Sequence, residues 1–403
     1  MPAFKPFKGI IPNPDFAADV ILPANKCWNR DSFTVVQGHN PYSFQHILEA
    51  ANPDLELSSL KQACALSAKL FSEALDKGVY IHDNQPAYYL YHTRYKGIEQ
   101  TGIIGLCEAG DIAANKIRKH ENTRNDRVEQ LYTFLEATGL FTTPVFLTYH
   151  PIREIESLIH RIKLLQPIFN VHSGKATDHS IWKITSPDDL AIIEKSMGQI
   201  DSFYIADGHH RAAIAEKLVQ QDSRGGDMLS ILIAANNLTI YPFYRQILND
   251  EGPIDLWELL DKLKANYQLK PCSLDQMYYQ YLPSQHFLLC TAQASWLLIP
   301  KNPGLSSDVL ADLDVSILQN EILSPLLHIT DPKADPRIQF GPMSIKLEEF
   351  KALLHKPETA MVFICRAPLA EVIFKVADQG KVMPPKSTSF EPKILSGLVL
   401  HHV

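Results

Sequence analysis

The sequence predicts an α+β protein made of more than one portion. Three observations carry that expectation. The stretch YIADGHHRAAIAEKL, Tyr204 to Leu218, joins β-prone residues to an alanine-rich run with helical spacing across Asp207-Gly208, so it reads as strand, tight turn and helix. AYYLYHTRY (Ala87 to Tyr95) and GIIGL (Gly102 to Leu106) flank a polar, glycine-containing turn and read as paired strands, while other segments repeat apolar residues every three to four positions. A length of 403 residues also exceeds what one ordinary core organises.

Composition narrows the class. With 45% hydrophobic and 21% charged residues, and no run near the roughly 18 apolar residues a membrane span needs, the chain reads as globular and without membrane segments. Its start, MPAFKPFKGIIPNP, has prolines where an export signal would carry an apolar stretch, so a cytoplasmic location is expected. Six cysteines (Cys27, Cys64, Cys107, Cys272, Cys290, Cys365), none in a CxxC pair, read as reduced thiols and speak against a zinc knuckle or a disulfide framework. A net charge of −7 makes nucleic acid an unlikely partner.

Along the chain, Ala17 to Leu22 reads as a short strand, and Asn40 to Ile47 mixes turn-forming and aromatic residues ahead of a helical run. Leu57 to Leu75 reads as a helix with an apolar stripe (Leu60, Cys64, Leu66, Leu70, Phe71 and Leu75) and Gly78 beyond its end. The aromatic residues of Ala87 to Tyr95 lack interleaved basic residues and read as sheet packing. Val128, Leu131, Tyr132 and Leu135 mark one face of a helix that Gly139 ends before a strand at Pro144 to Leu147. Helices follow at Ile152 to Leu165 and Ser186 to Met197. Leu229 to Ala235 reads as a strand, with LTIYPFYRQI as its hairpin partner across Asn236-Asn237, and the chain leaves this portion near Glu251-Gly252-Pro253. Beyond lie helices at Asp255 to Ala265 and Asp314 to Leu327, a strand at Trp296 to Ile299 and a final strand at Ile394 to Leu400. The division expected is an N-terminal α+β portion over 1–109, a core over 110–250 and a C-terminal α+β portion over 251–403.

Chemistry concentrates in three places. The first-turn N–H groups of a helix lack intrahelical partners and carry partial positive charge. His209, His210 and Arg211 at such an end make electrostatic sense where an anion joins them, nucleotide phosphates fitting best, and Gly208 lets the backbone come close. The plainer alternative is that Asp207 caps the helix and the histidines are surface residues. Upstream, His120, Glu121, Arg124, Asp126 and Arg127 form a polar cluster. It is not the zinc motif HExxH, because position 124 is arginine, and helix capping with solvated charges is its plain reading. In the tail, Lys386, Ser387 and Thr388 look like the end of a phosphate-binding loop, but Pro385 stands where that loop needs glycine and has no N–H to offer. They remain candidates for reaching a nucleotide or substrate, set against a rigid turn leading into the final strand.

The order KHE, RVEQL, a glycine before PVF, and IADGHHRAA resembles the ParB/sulfiredoxin-like superfamily, free serine kinases most closely, over about Gly110 to Asn249. Over nearly its whole length the chain is similar to a prokaryotic domain-of-unknown-function family, often labelled ParB-like, marked by HE-x-T, ADGHHR and PPKST followed by FEPK and SGL. The resemblance implies a ParB/sulfiredoxin-like nucleotide-binding core with additional N-terminal and C-terminal α+β portions. It implies Glu121 as the base that takes a substrate hydroxyl proton and Asp207 as a metal or substrate ligand. Gly208, His209, His210 and Arg211 would hold phosphates, and His120 and Arg127 would add substrate or phosphate contacts. ATP or ADP with Mg²⁺ would be the cofactors.

The activity so implied is a kinase of a small hydroxyl metabolite, free L-serine to O-phosphoserine first; the alternative is a non-catalytic nucleotide-binding regulator related to ParB and associated with DNA. Four departures bear on it. The interval from Glu121 to Asp207 is longer than in the serine kinases. Pro23-Ala24-Asn25-Lys26 stands where the uncharacterised family has Pro-Tyr-Asp. ENTR (Glu121 to Arg124) precedes the phosphate turn instead of following it, which counts against a ParB-style CTP switch, and no cysteine occupies the turn, which sets sulfiredoxin chemistry aside.

Overall fold

The computed structural model describes residues 1–23, 43–48, 57–95, 97–172, 177–221, 226–249, 254–274, 282–304 and 306–403. They form two compact units, residues 1–239 with 392–403, and residues 240–391. The Ala24 to Lys26 departure, Cys27, Asn40 to Tyr42 and the Glu251-Gly252-Pro253 exit lie outside the described residues.

The first unit is built on a mixed sheet. Its strands are β1 (Phe4–Lys5), β2 (Tyr88–Tyr95), β3 (Ile98–Glu108), β4 (Ile117–Arg118), β5 (Val145–Tyr149), β6 (Phe169–His172), β7 (Thr177–Ile184), β8 (Phe203–Asp207) and β9 (Asp227–Ala234). They lie in the order β6-β7-β2-β3-β9-β5-β8-β4, with β1 beside β3. Its principal helices are α1 (Leu57–Asp76), α2 (Asn125–Thr138), α3 (Arg153–Lys163), α4 (Pro187–Met197) and α5 (His209–Gln221). Strands in the middle of a sheet covered on both faces must be apolar without alternation. β5 and β9 come close to that demand: every residue of Val145–Tyr149 and of Met228–Ala234 is buried, with Thr148 and Ser230 as polar exceptions. The aromatic run does pack the sheet: Tyr88, Tyr89, Leu90 and Tyr91 are all buried.

The same demand overturns the hairpin expected after Leu229. A strand buried on both sides needs two neighbours, and β9 pairs with β3 antiparallel and with β5 in parallel. The chain leaves β9 through a 3₁₀ turn at Ala235–Asn237, and Phe243–Leu248 joins the sheet of the other unit instead. Two further expectations fail locally. Ala17–Val20 is a helical turn, leaving only Leu22–Pro23 extended. The final strand is two short pairings, Leu395–Ser396 and His401–His402, because Gly397 between them takes a φ of +81° that breaks extended geometry.

The second unit holds a six-stranded antiparallel sheet of β10 (Phe243–Leu248), β11 (Tyr267–Cys272), β12 (Phe287–Cys290), β13 (Ser295–Pro300), β14 (Ile338–Pro342) and β15 (Thr359–Cys365). The order is β11-β13-β12-β15-β10-β14. Helix α6 (Leu256–Leu263) is capped by Asp255, whose Oδ1 accepts the N–H groups of Trp257 and Glu258. The helix expected from Asp314 begins as α7 (Asp314–Leu318), continues through a π-helical turn at Gln319–Leu323, and ends after Ser324–Leu327. Helix α8 (Ala370–Asp378) follows β15. Among the described residues no helix is long and apolar enough to cross a membrane. The five described cysteines are free thiols.

Gly139 closes α2 as expected, with a φ of +66° and its N–H bonded to the Leu135 carbonyl. A side chain there is strained by about 1–2 kcal/mol, and its Cβ would stand 2.8 Å from His402 Nε2. Gly139→Ala should therefore lower stability by at least about 1 kcal/mol, and Gly139→Asn by less, because asparagine tolerates the left-handed region. Chemical denaturation of the full chain checks the order glycine, asparagine, alanine.

Candidate functional site

β4 and β8 run in parallel, Ile117 beside Phe203 and Arg118 beside Tyr204. Parallel neighbours deliver their C-terminal ends to the same edge of the sheet. The residues that follow β4, Lys119 to Arg124, are therefore brought against those that follow β8, Asp207 to Arg211. The long interval between Glu121 and Asp207 does not keep them apart, and both line one cavity of about 500 Å³.

Two backbone bonds fasten the segments. The His120 N–H donates to His209 Nε2 at 3.4 Å, and the Arg124 N–H donates to His210 Nε2 at 3.1 Å. An imidazole nitrogen accepts only when it carries no proton, so both rings must be neutral. Burial supplies that condition. It drives His209 well below the ordinary histidine range, aided by neighbouring His120, and it lowers His210 together with Arg127 and Arg124. With Nε2 accepting, the His209 proton sits on Nδ1, which faces Glu121 Oε2 at 3.8 Å. The His120 ring meets that of His209 edge-on at 4.6 Å and is itself pushed down to about 4 by burial.

The positive charge in the cavity comes from elsewhere. Gly208 holds a φ of +91°, and the Arg211 guanidinium folds back so closely that a Cβ on residue 208 would lie 2.6 Å from Arg211 Nη2. Glycine suits the backbone conformation, and any side chain at 208 would oblige the guanidinium to move. Arg211 Nη2 stands 3.9 Å from Asp207 Oδ2, and Lys393 Nζ approaches the same oxygen at 3.6 Å. Burial alone would raise the Asp207 carboxyl, but Lys393, Arg211, His209 and the Gly208 N–H outweigh it and hold it far below the usual carboxylate range. Arg127, on the first turn of α2, hydrogen-bonds Gln130 and completes a set of three cations with Arg211 and Lys393.

The rest of the cavity is apolar. Arg127, Leu131, Phe134 and Leu135 occupy one face of α2 at helical spacing, so this wall passes from charged to hydrophobic over two turns. Leu140, Phe141 and Ile214 extend it, and Thr143 and Ser396, whose hydroxyls meet at 2.7 Å, close one side. Such a container suits a ligand anionic at one end and flat or apolar at the other.

Among the sequence candidates, Glu121, Arg127, Asp207, Gly208, His209, His210 and Arg211 line this cavity together. His120 is sealed beneath it, 2% exposed. Lys386, Ser387 and Thr388 belong to the second unit. There Lys386 adopts a φ of +56°, its carbonyl accepts from the buried Arg245 at 3.3 Å, and its Nζ lies 5.3 Å from the centre of the Phe243 ring. Ser387 donates to the Pro384 carbonyl at 2.6 Å. Sequence reasoning singled out none of Lys393, Ser396, Phe134 and Phe141 as site residues. The signals available were the FEPK and SGL marks, which contain Lys393 and Ser396, and the helical spacing of Arg127, Leu131 and Phe134.

Fold and site together define an α+β protein with a mixed-sheet unit whose strand ends frame a cavity charged at one end and apolar at the other. The chain belongs to the family described as protein of unknown function, DUF1015, whose profile matches residues 4–316. Solved structures with a similar arrangement include a free serine kinase in complex with AMP, at 19% identity and a TM-score of 0.34, covering 68% of this chain and 84% of that one. A conserved hypothetical protein from Pyrococcus furiosus matches at 19% identity and a TM-score of 0.33, over 68% and 87% of the two chains. SbnI with a C-terminal truncation, from Staphylococcus aureus, matches at 11% identity and a TM-score of 0.37, over 72% and 85%. No curated protein matches the chain. A domain-of-unknown-function family, as anticipated from the motifs, is the one found.

His120 and His209 bind protons less readily folded than unfolded, so the unfolded chain gains protons first as the pH falls. Stability is then full above about 6.5 and declines as the pH drops from there toward 4, the His120 share amounting to roughly 2–3 kcal/mol. His120→Leu should flatten this acid limb in denaturation curves taken between pH 7 and 4; an unchanged slope would assign the loss to other groups.

Proposed function

We propose that the cavity binds a nucleotide and transfers its terminal phosphoryl group to the hydroxyl of a small metabolite, with L-serine the first acceptor to try. The observation that carries this reading is that the Glu121 carboxylate shares a cavity with the Asp207-Gly208 turn and three cations, Arg127, Arg211 and Lys393. Phosphoryl transfer asks little of a protein beyond alignment and positive charge around the migrating group. Arg211 offers two parallel donors to phosphate oxygens, and the first-turn N–H groups of α5 add to them. Glu121, 53% exposed at the side chain, is open to an incoming hydroxyl. It accepts the hydroxyl proton as the substrate oxygen bonds to phosphorus and the bond to the departing nucleotide breaks.

Among the described residues no three metal-binding side chains converge. Mg²⁺ at nucleotides commonly takes one or two carboxylates and completes its shell with phosphate oxygens and water. Asp207, held ionised, fits that part, and the ion would neutralise charge on the phosphates. The histidines have a supporting role in this scheme: neutral and hydrogen-bonded, they fix Glu121 relative to the turn.

A second reading, a nucleotide-binding regulator without turnover, draws on the same two bonds, because a loop tied to α5 by two imidazoles and the Lys119–Glu216 pair at 3.0 Å is suited to shift when a ligand arrives. Turnover separates the two. Purified protein with ATP or ADP, Mg²⁺ and L-serine or other small alcohols should yield a phosphomonoester. Glu121→Gln should cut the rate by about 10²–10⁴ while nucleotide affinity stays within a few-fold. Arg211→Met should weaken nucleotide binding tenfold or more, as read by calorimetry. Binding without phosphate transfer to any alcohol favours the regulator.

A further inference from the structure

Residues 240–391 contain a separate cavity of about 170 Å³ that takes no part in the scheme above. Asp314, at the start of α7, lines it and is only 8% exposed. Its Oδ1 accepts the Ser284 hydroxyl at 3.2 Å and the Gln285 N–H at 2.9 Å. Gln285 holds a φ of +64°, uncommon for a residue other than glycine, while giving that N–H. Asp314 Oδ2 has no hydrogen-bond partner among the described residues. Buried carboxylate oxygens are rarely left so, because the lost hydration is not replaced.

Two cations line the same cavity, half-buried Arg366 and exposed Lys375. Neither side chain closes an ion pair with a described residue; the Arg366 guanidinium acts on Asp314 from beyond ion-pair distance, and the Arg366 backbone N–H also favours the charged carboxylate. The remaining wall is hydrocarbon, including Val309, Leu313 and Val372. An acid set deep, two unpaired cations further out and an apolar wall between them leave each simple ion badly served. An anion alone would meet Asp314, and a cation alone would meet Arg366 and Lys375. A molecule with both charges a few bonds apart satisfies all three at once.

We propose that this cavity binds a small zwitterion of the α-amino acid class, its ammonium directed to Asp314, its carboxylate to Arg366 and Lys375, and a short side chain against the apolar wall. The space suits a free amino acid and is too small for a nucleotide.

Calorimetry on the full chain tests this with L-alanine as the deciding probe, because alanine has no hydroxyl and is no acceptor at the other site. L-valine, acetate, methylammonium and inorganic phosphate are run beside it. Alanine or valine should bind, acetate and methylammonium at the same concentration should not, and Arg366→Gln should weaken the amino acid tenfold or more. Asp314→Asn should do the same. Should that buried variant fail to fold, Arg366→Gln decides, with nucleotide binding at the first cavity as the control for an intact chain. No binding by either amino acid, binding unchanged in Arg366→Gln, or acetate or phosphate binding as tightly as alanine would each overturn the assignment. Loss of kinase activity in any other experiment leaves this result untouched.

Discussion

The pairing of two short parallel segments, Ile117-Arg118 against Phe203-Tyr204, brings together the polar residues that follow the two strands. A two-residue ladder is a weak clamp by itself. It is reinforced just past its end, where the chain leaving one strand hands two backbone N–H groups to imidazoles on the helix leaving the other. That reinforcement exists only while both rings are uncharged, so the burial that strips protons from His209 and His210 is a condition for the site to hold its shape.

Roles within the DGHHR turn divide differently from what the bare sequence suggests. Three basic letters in a row look like one cationic clamp, but only Arg211 contributes charge. The histidines face the chain, and the companions of Arg211 are Arg127 from α2 and Lys393 from beyond the second unit in sequence. Asp207 is the counterweight. It faces a lysine and an arginine at 3.6 and 3.9 Å, distances loose enough that a stronger anion could compete for both cations.

How much could be read in advance follows from how local each signal was. The strand, turn and helix around Asp207 were legible because each obeys its own short-range rule, and the stop at Gly139 follows from a left-handed φ that glycine accepts freely. The partnership of Glu121 with that turn came from resemblance and not from spacing, since pairing between distant strands leaves no mark in either segment. Lys393 and Ser396 stood within the FEPK and SGL marks, but their place beside the turn was illegible for the same reason. The false hairpin after Leu229 shows the converse error, in which a locally reasonable turn lost to a strand buried along nearly its whole length, whose backbone required two sheet neighbours. The broken strand near Gly397 could have been foreseen from the glycine itself.

The first unit is written in two instalments, residues 1–239 and 392–403, with the whole of 240–391 translated in between. The cavity beside the turn takes Lys393 and Ser396 from the second instalment. A growing chain that has already formed its mixed sheet must therefore wait, one cation short, until the intervening segment has been synthesised. Assembly of the cavity is thereby deferred until residues 240–391 have been made, and a chain stopped before them would carry the sheet without the finished pocket.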